Sequence, residues 1–256
     1  MNYLPGKFVW FEHVSSDVAK ARAFYGALCG WTFSSMAVGD KPYDIIMNGA
    51  EPRGIGGFRN AEAGMPSHWT SYLSVADVDK SHATAQAAGA RSLMAPMDFG
   101  PVGRGCAIAD PSGAALCLWK GAQGDPADTE TTPLGGWFWN ELSSTNVKAA
   151  VAFYEKAFGF THDAMDMGPM GTYYILKDAA GQMRAGAMQQ AAGINAPSFW
   201  LPYIHVADCD ASAAKATQLG AKSIMVPPTD IPNIGRFSVI IDPTGAAIAI
   251  IKGASR

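Results

Sequence analysis

The chain has 256 residues, 48% of them hydrophobic and 16% charged, with a formal net charge of -3. That length provides for two ordinary domains and the apolar content excludes a disordered chain, while the lack of any Lys/Arg cluster able to neutralise successive phosphates excludes nucleic acid as a partner. No apolar run approaches the roughly 18 residues of a membrane helix, and MNYLPGKFVW lacks the basic start and apolar stretch of a signal peptide, so a cytoplasmic protein with no membrane partner is expected.

In chain order, VWFEHVSS (9 to 16) reads as a strand that passes into a helix over SDVAKARAFYGAL, with Ser16 or Asp17 as its cap and Ala19, Ala23, Phe24 and Leu28 as its apolar face. Extended stretches follow. A second strand and helix begin at SHWTSYLSVADVD (67 to 79), with Asp77 as the cap. ADPSGA then joins two β-rich runs as a hairpin, with Pro in the second and Gly in the fourth place of a type I turn. If that hairpin pairs symmetrically about its turn, Cys106 lies opposite Cys117 within disulfide range, both on one face. The expected state in the cytoplasm is a reduced pair.

After GAQGDPADTETTPLGG (121 to 136), a Gly-, Pro-, Thr- and Asp-rich stretch that reads as a surface linker, the pattern starts again. VWFEHVSSDVAKARAFYGALCGW (9 to 31) returns as FWNELSSTNVKAAVAFYEKAFGF (138 to 160), and SHWTSYLSVADVD returns as SFWLPYIHVADCD (198 to 210). GRGCAIADPSGAALCLWKG matches GRFSVIIDPTGAAIAIIKG. Asn146 and Asp208 are the corresponding helix caps, Val147, Val151, Tyr154 and Phe158 form the third helix's apolar face, and Gly30, Gly89, Gly159 and Gly220 follow the helix ends. The expected class is α+β: four βαβββ modules, in domains 1–120 and 137–256.

The AxAFYxxxxGW/F helix, the HWxxYxxVxDVD or FWxxYxxVxDxD second opening and the closing GRxxxxxDPxGAxxxxxKG resemble the vicinal oxygen chelate superfamily, which includes glyoxalase I, extradiol dioxygenases and bleomycin-resistance proteins. The resemblance covers all but the linker and termini, and is strongest to two-domain glyoxalase-like members. It implies that paired modules curl an eight-stranded sheet into a cup with helices outside. In metal-dependent relatives, His or Glu of the opening strands and Glu of the closing strands hold a divalent ion. Carried over, the opening positions fall on Trp10, Thr70, Trp139 and Leu201. The closing positions fall on Cys117 and Ala249, and within RGIGGF (53 to 58) and RAGAMQ (184 to 189). None supplies the converging oxygen or imidazole donors a hard cation needs, so no metal and no cofactor are expected.

Side chains alternate along a strand. With Trp10 facing the cup, Glu12 faces it too, while His13 points to the helices, where the repeat has Leu142; His13 therefore reads as structural. The same alternation puts Tyr72 and Tyr203 on the second wall of each cup, with Thr70, Ser74, Leu201 and His205. Trp69 and Trp200 fall out of that phase and read as packing. The candidate site residues are Glu12, Glu141 and His205 for proton transfer, and Trp10, Tyr72, Cys117, Trp139 and Tyr203 for ligand contact. Arg104 and Arg236 read as solvated hairpin ends or as anion clamps.

Two function classes fit. One is a binding or sequestering protein for a small aromatic or cationic molecule, resembling bleomycin-resistance proteins. The other is a metal-independent lyase- or isomerase-type enzyme acting on a small carbonyl or aromatic substrate by acid–base catalysis. The partner is a small molecule in either case, and the chain a monomer or homodimer.

Overall fold

The computed structural model describes residues 2–38, 41–49, 53–194 and 196–254. Four modules follow one another. The first is β1 (Phe8–Ser15), α1 (Val18–Cys29), β2 (Thr32–Val38), β3 (Lys41–Met47) and β4 (Gly56–Asn60). The second is β5 (His68–Ser74), α2 (Val78–Ala87), β6 (Arg91–Asp98), β7 (Gly103–Ala109) and β8 (Ala115–Gly121). The third is β9 (Trp137–Ser144), α3 (Val147–Phe158), β10 (Thr161–Asp166), β11 (Thr172–Lys177) and β12 (Met183–Gln189). The fourth is β13 (Phe199–His205), α4 (Cys209–Gln218), β14 (Ser223–Ile231), β15 (Gly235–Ile241) and β16 (Ala247–Gly253). The βαβββ grammar holds in all four.

The strands form two mixed eight-stranded sheets, ordered β2-β3-β4-β1-β5-β8-β7-β6 and β10-β11-β12-β9-β13-β16-β15-β14. Each opening strand pairs in parallel with the closing strand of its own module, as β1 does with β4 and β13 with β16. Each of the four α-helices is started by a side chain expected from the sequence. Asp17, Asp77, Asn146 and Asp208 each accept the amide hydrogen three residues on, satisfying a donor that the first turn leaves without an intrahelical partner. Gly30 and Gly159 end α1 and α3 in the left-handed conformation, with φ of 74° and 72°.

The buried face of α1 corrects the expected one: it is Ala21, Phe24, Tyr25 and Leu28, and Ala19 and Ala23 are exposed. Helical spacing alone allows both faces. Tyr25 decides between them, because its ring and its hydrogen-bonded hydroxyl are both buried.

The chain divides into two compact units. One holds Met1–Val9, Thr70–Asp128 and Trp139–Trp200, hence most of the second and third modules. Within it α2 touches α3 and lies on β6, β7 and β8. Its core is aliphatic around Leu73, Ile108, Leu116, Leu118, Leu142 and Leu176. The supposed linker is tied down here: Asp125 accepts from the Leu4 amide and the Ser74 hydroxyl, and Asp128 takes both ends of the Arg184 fork.

The other unit holds Trp10–Trp69, Thr129–Phe138 and Leu201–Arg256. Its core is built of rings, with Tyr25 stacked on Trp31 at 5.5 Å and edge-on to Trp69 at 5.3 Å, and with Trp69 against Trp137. The indoles Trp31 and Trp137 satisfy their N–H groups on the Gly135 and Ile55 carbonyls.

The cysteine pairing does not occur. In the β7–β8 hairpin Ala109 faces Ala115, so Cys106 lies opposite Leu118 and Cys117 opposite Ala107. Residues 110–114 form the loop, closed by the Asp110 amide on the Ala114 carbonyl, which is one residue longer than a four-residue turn with symmetric pairing assumes. A slip of one residue puts neighbours on opposite faces. Cys106 belongs to the aliphatic core, Cys117 is in register with Tyr72, and no disulfide is formed.

Candidate functional site

In the first module, β1, β4 and β3 bring four expected and unexpected side chains together. The indole of Trp10 donates to the Tyr43 hydroxyl at 2.9 Å, and that hydroxyl donates in turn to Glu12. Gly57, in register with Glu12, makes the arrangement possible: a Cβ there would fall on the Tyr43 hydroxyl. Glu12 is 5% exposed and is held by Arg59 Nε at 2.6 Å. Burial pushes the Tyr43 hydroxyl well up, and the Glu12 charge adds to it, so the phenol stays protonated and acts as a donor.

The third module repeats this within the other unit. Trp139 Nε1 donates to the Tyr173 hydroxyl at 2.9 Å and Tyr173 donates to Glu141, which is 9% exposed. Burial, then the Glu141 charge, raise the Tyr173 hydroxyl far above its ordinary value. Gly186, in register with Glu141, again leaves the room, since a Cβ would meet Tyr173 and the Trp139 nitrogen. Across the strands Met165 faces Tyr173, and Tyr173 faces Met188. The indole rings of Trp10 and Trp139 are half-buried. Sequence reasoning found the tryptophans and glutamates by strand alternation but missed Tyr43, Tyr173 and the two glycines. The signal was present as tyrosines at equivalent places in YDIIM and YYILK.

The remaining expected residues lie on β5 and β13, the opening strands of the second and fourth modules, and on β8. Tyr72 packs edge-on against Trp119 at 5.9 Å, and Phe99 flanks that indole at 5.6 Å. Trp119 lies over Gly105, its cross-strand neighbour, where a Cβ would come within 2.7 Å of the ring. The fourth module reverses the pair: Phe237 stands where Gly105 does and Ile251 where Trp119 does, so Tyr203 stacks on Phe237 from the opposite strand. Each tyrosine wall keeps an aromatic neighbour. His205 donates its Nδ1 proton to the Thr132 carbonyl at 2.7 Å and lies against Phe138.

His13 is fully buried, as its structural reading requires. Its Nε2 donates to Asp242 at 2.7 Å, Tyr25 donates to the same oxygen at 3.0 Å, and Trp69 donates to the Tyr25 hydroxyl. The other Asp242 oxygen accepts from Thr244, Gly245 and Ala246 in the DPTG turn. Burial alone would raise this carboxyl, but His13 and the turn donors hold it down at about 2. In the other unit Asp110 is bound by Tyr154, and Tyr154 by Trp200, with Leu142 in the place of His13. Trp69 and Trp200 are therefore core residues. Arg104 and Arg236 are each gripped by two aspartates, Asp79 with Asp98 and Asp210 with Asp230.

A metal ion of the kind the fold family carries does not fit this donor set. The opening-strand positions present Trp10, Thr70, Trp139 and Leu201, and among the described residues no three His, Cys, Asp or Glu converge to hold an ion. Among those residues no helix is long and apolar enough to cross a membrane.

Comparison with known proteins gives two matching family models. Residues 7–40 match the bleomycin resistance protein-like N-terminal family, and residues 139–250 match the glyoxalase/bleomycin resistance protein/dioxygenase superfamily. Over 256 aligned residues the chain is 34% identical to a Mycobacterium tuberculosis protein provisionally named glyoxylase CFP32, covering 98% of this chain and 97% of that one. It is 31% identical to the anthracycline biosynthesis protein DnrV of Streptomyces peucetius, covering 98% and 94%. The Mn(II)-bound glyoxalase of Novosphingobium aromaticivorans shares the fold with a TM-score of 0.66 at 17% identity, over 97% of this chain and 82% of that one.

Proposed function

The chain belongs to the glyoxalase/bleomycin resistance protein/dioxygenase superfamily, and from that premise we propose that it binds a small aromatic organic molecule on its Trp–Tyr–Glu faces, with no metal ion taking part. The observation that carries the reading is the duplicated relay, in which indole, phenol and carboxylate are locked in the same order in two modules. A half-buried indole offers a ring to stack on, contributing about 0.5 to 2 kcal/mol where the ligand is cationic. The phenol fixes the carboxylate before a ligand arrives, which lowers the ordering cost of binding. A 31% identical relative named for anthracycline biosynthesis is in keeping with an aromatic ligand.

The name of the mycobacterial relative favours a second reading, an acid–base enzyme in which Glu141, Glu12 and His205 move protons on a small carbonyl or aromatic substrate. One experiment separates the two. A panel of aromatic compounds is titrated by tryptophan fluorescence against the wild type, Trp139→Ala, Glu12→Gln and Glu141→Gln, and the hits are assayed for turnover. Binding predicts loss of affinity in Trp139→Ala with no product formed. Turnover that falls in Glu141→Gln at unchanged affinity would replace binding by catalysis, and a stoichiometric metal whose removal abolishes activity would overturn both.

A further inference from the structure

The chain has seven tryptophans, and six of them commit the indole N–H to an acceptor of their own chain. Trp10 and Trp139 give theirs to Tyr43 and Tyr173, Trp69 and Trp200 to Tyr25 and Tyr154, and Trp31 and Trp137 to the Gly135 and Ile55 carbonyls. The seventh is Trp119 on β8. Its ring is half-buried, yet its Nε1 proton has no hydrogen-bond partner among the described residues.

The strands around Trp119 are cut to take a flat ring. Gly105 faces it across the β7–β8 pair and Gly103 faces Gly121. A Cβ at Gly103 or Gly105 would come within 2.7 Å of the indole, and one at Gly121 within 3.2 Å of Nε1 itself. The indole therefore rests against bare backbone on one side. Tyr72 and Phe99 stand steeply to it, with interplanar angles of 73° and 59°. Phe99 is fixed there by its amide, which donates to the Gly103 carbonyl at 2.8 Å. Strand alternation gives this face Gly103, Gly105 and Ala107 from β7, so that strand brings no charge to it. The fourth module does not repeat the feature, because Ile251 and Phe237 occupy the places of Trp119 and Gly105.

The geometry points to a ligand site on this Trp119 shelf, for a neutral aromatic carbonyl compound whose ring stacks on the indole and whose oxygen accepts the Nε1 proton. A ring face with one uncommitted donor at its edge has what a small-molecule site uses for affinity and for orientation. The oxygen must sit on a short arm. The indole N–H lies in the plane of its ring, so an acceptor fused into a parallel ligand ring cannot meet it, whereas a twisted carbonyl arm can. This goes beyond the Trp–Tyr–Glu faces, whose indole protons are already given to tyrosines.

The full chain at pH 7 is titrated with 2-acetylnaphthalene and with naphthalene, following the indole N–H signals and the ligands' own resonances by NMR. The Trp119 signal is identified by its loss in Trp119→Phe, or in Trp119→Tyr if that variant fails to fold. 2-Acetylnaphthalene should move this signal downfield, as a newly made N–H···O bond does, and naphthalene should not. The preference for the ketone over naphthalene should fall at least about threefold in the variant, which keeps a ring and loses the donor. Trp139→Ala should leave the Trp119 response intact, so the shelf and the Trp–Tyr–Glu faces stand or fall separately. No binding of 2-acetylnaphthalene, a Trp119 signal that stays fixed while it binds, or a preference unchanged in the variant overturns the inference. A Trp119 response lost in Trp139→Ala overturns it as well, since the ketone would then be held by the other face.

Discussion

Replacing Asp242 by Asn tests whether the buried His–Asp–Tyr cluster is a charged lock on the ring core. The amide keeps an oxygen for the Thr244, Gly245 and Ala246 donors, so the turn survives. Its NH2 then faces the His13 Nε2 proton, a donor against a donor. His13 can escape only by moving that proton to Nδ1, which is fully buried and has no hydrogen-bond partner among the described residues. Losing hydrogen bonds to a charged group costs about 1.5 to 3 kcal/mol. A second route gives a similar figure: a carboxyl lowered from 3.8 to about 2 in the folded chain corresponds to about 2 to 3 kcal/mol. Because the folded value is depressed, this stability is fully present above pH about 4, the unfolded value, and is lost as pH falls through about 2. Urea unfolding of wild type and variant should therefore show a gap of about 2 to 3 kcal/mol at pH 6 that narrows steadily toward pH 2. A gap under about 0.5 kcal/mol, or one equally large at both pH values, would refute the charged lock.

His13→Leu, which copies the Leu142 arrangement of the other unit, removes one donor and should cost less, about 1 to 2 kcal/mol by the same denaturation. Gly186→Ala drives a Cβ into the Tyr173 hydroxyl; it should weaken aromatic ligands about tenfold and lower stability by about 1 to 3 kcal/mol, and an unchanged titration would show that the relay does not shape the face. Burial pushes the Cys106 thiol up to about 12, so a thiol reagent at pH 8 should leave Cys106 unlabelled in the native chain and label it on unfolding. Mass spectrometry of the non-reduced protein should show the Cys106 and Cys117 thiols intact.

What was legible in the sequence was local or repeated. Caps such as Asp17 and Asn146 act on amides three residues away, and the four-module order follows from motifs that recur, so neither needs knowledge of distant contacts. Strand alternation placed Trp10 with Glu12 and His13 against the helices for the same reason. The site was only half legible because Tyr43 and Tyr173 reach their glutamates across an intervening strand, which a linear period does not encode. The partner of His13 lies 229 residues away, beyond any local rule. The cysteine register failed on a single loop residue, and the α1 face failed because Tyr25 buries a ring through a hydrogen bond that its polarity conceals.

The indole N–H resonances of Trp10 and Trp139 report the two faces most directly, since each proton is committed to one tyrosine. In a titration with an aromatic ligand, the Trp139 indole signal should shift in step with binding and lose that response in Tyr173→Phe. A ligand that binds while both indole signals stay fixed would place recognition elsewhere on the chain and contradict the role given to the Trp–Tyr–Glu faces.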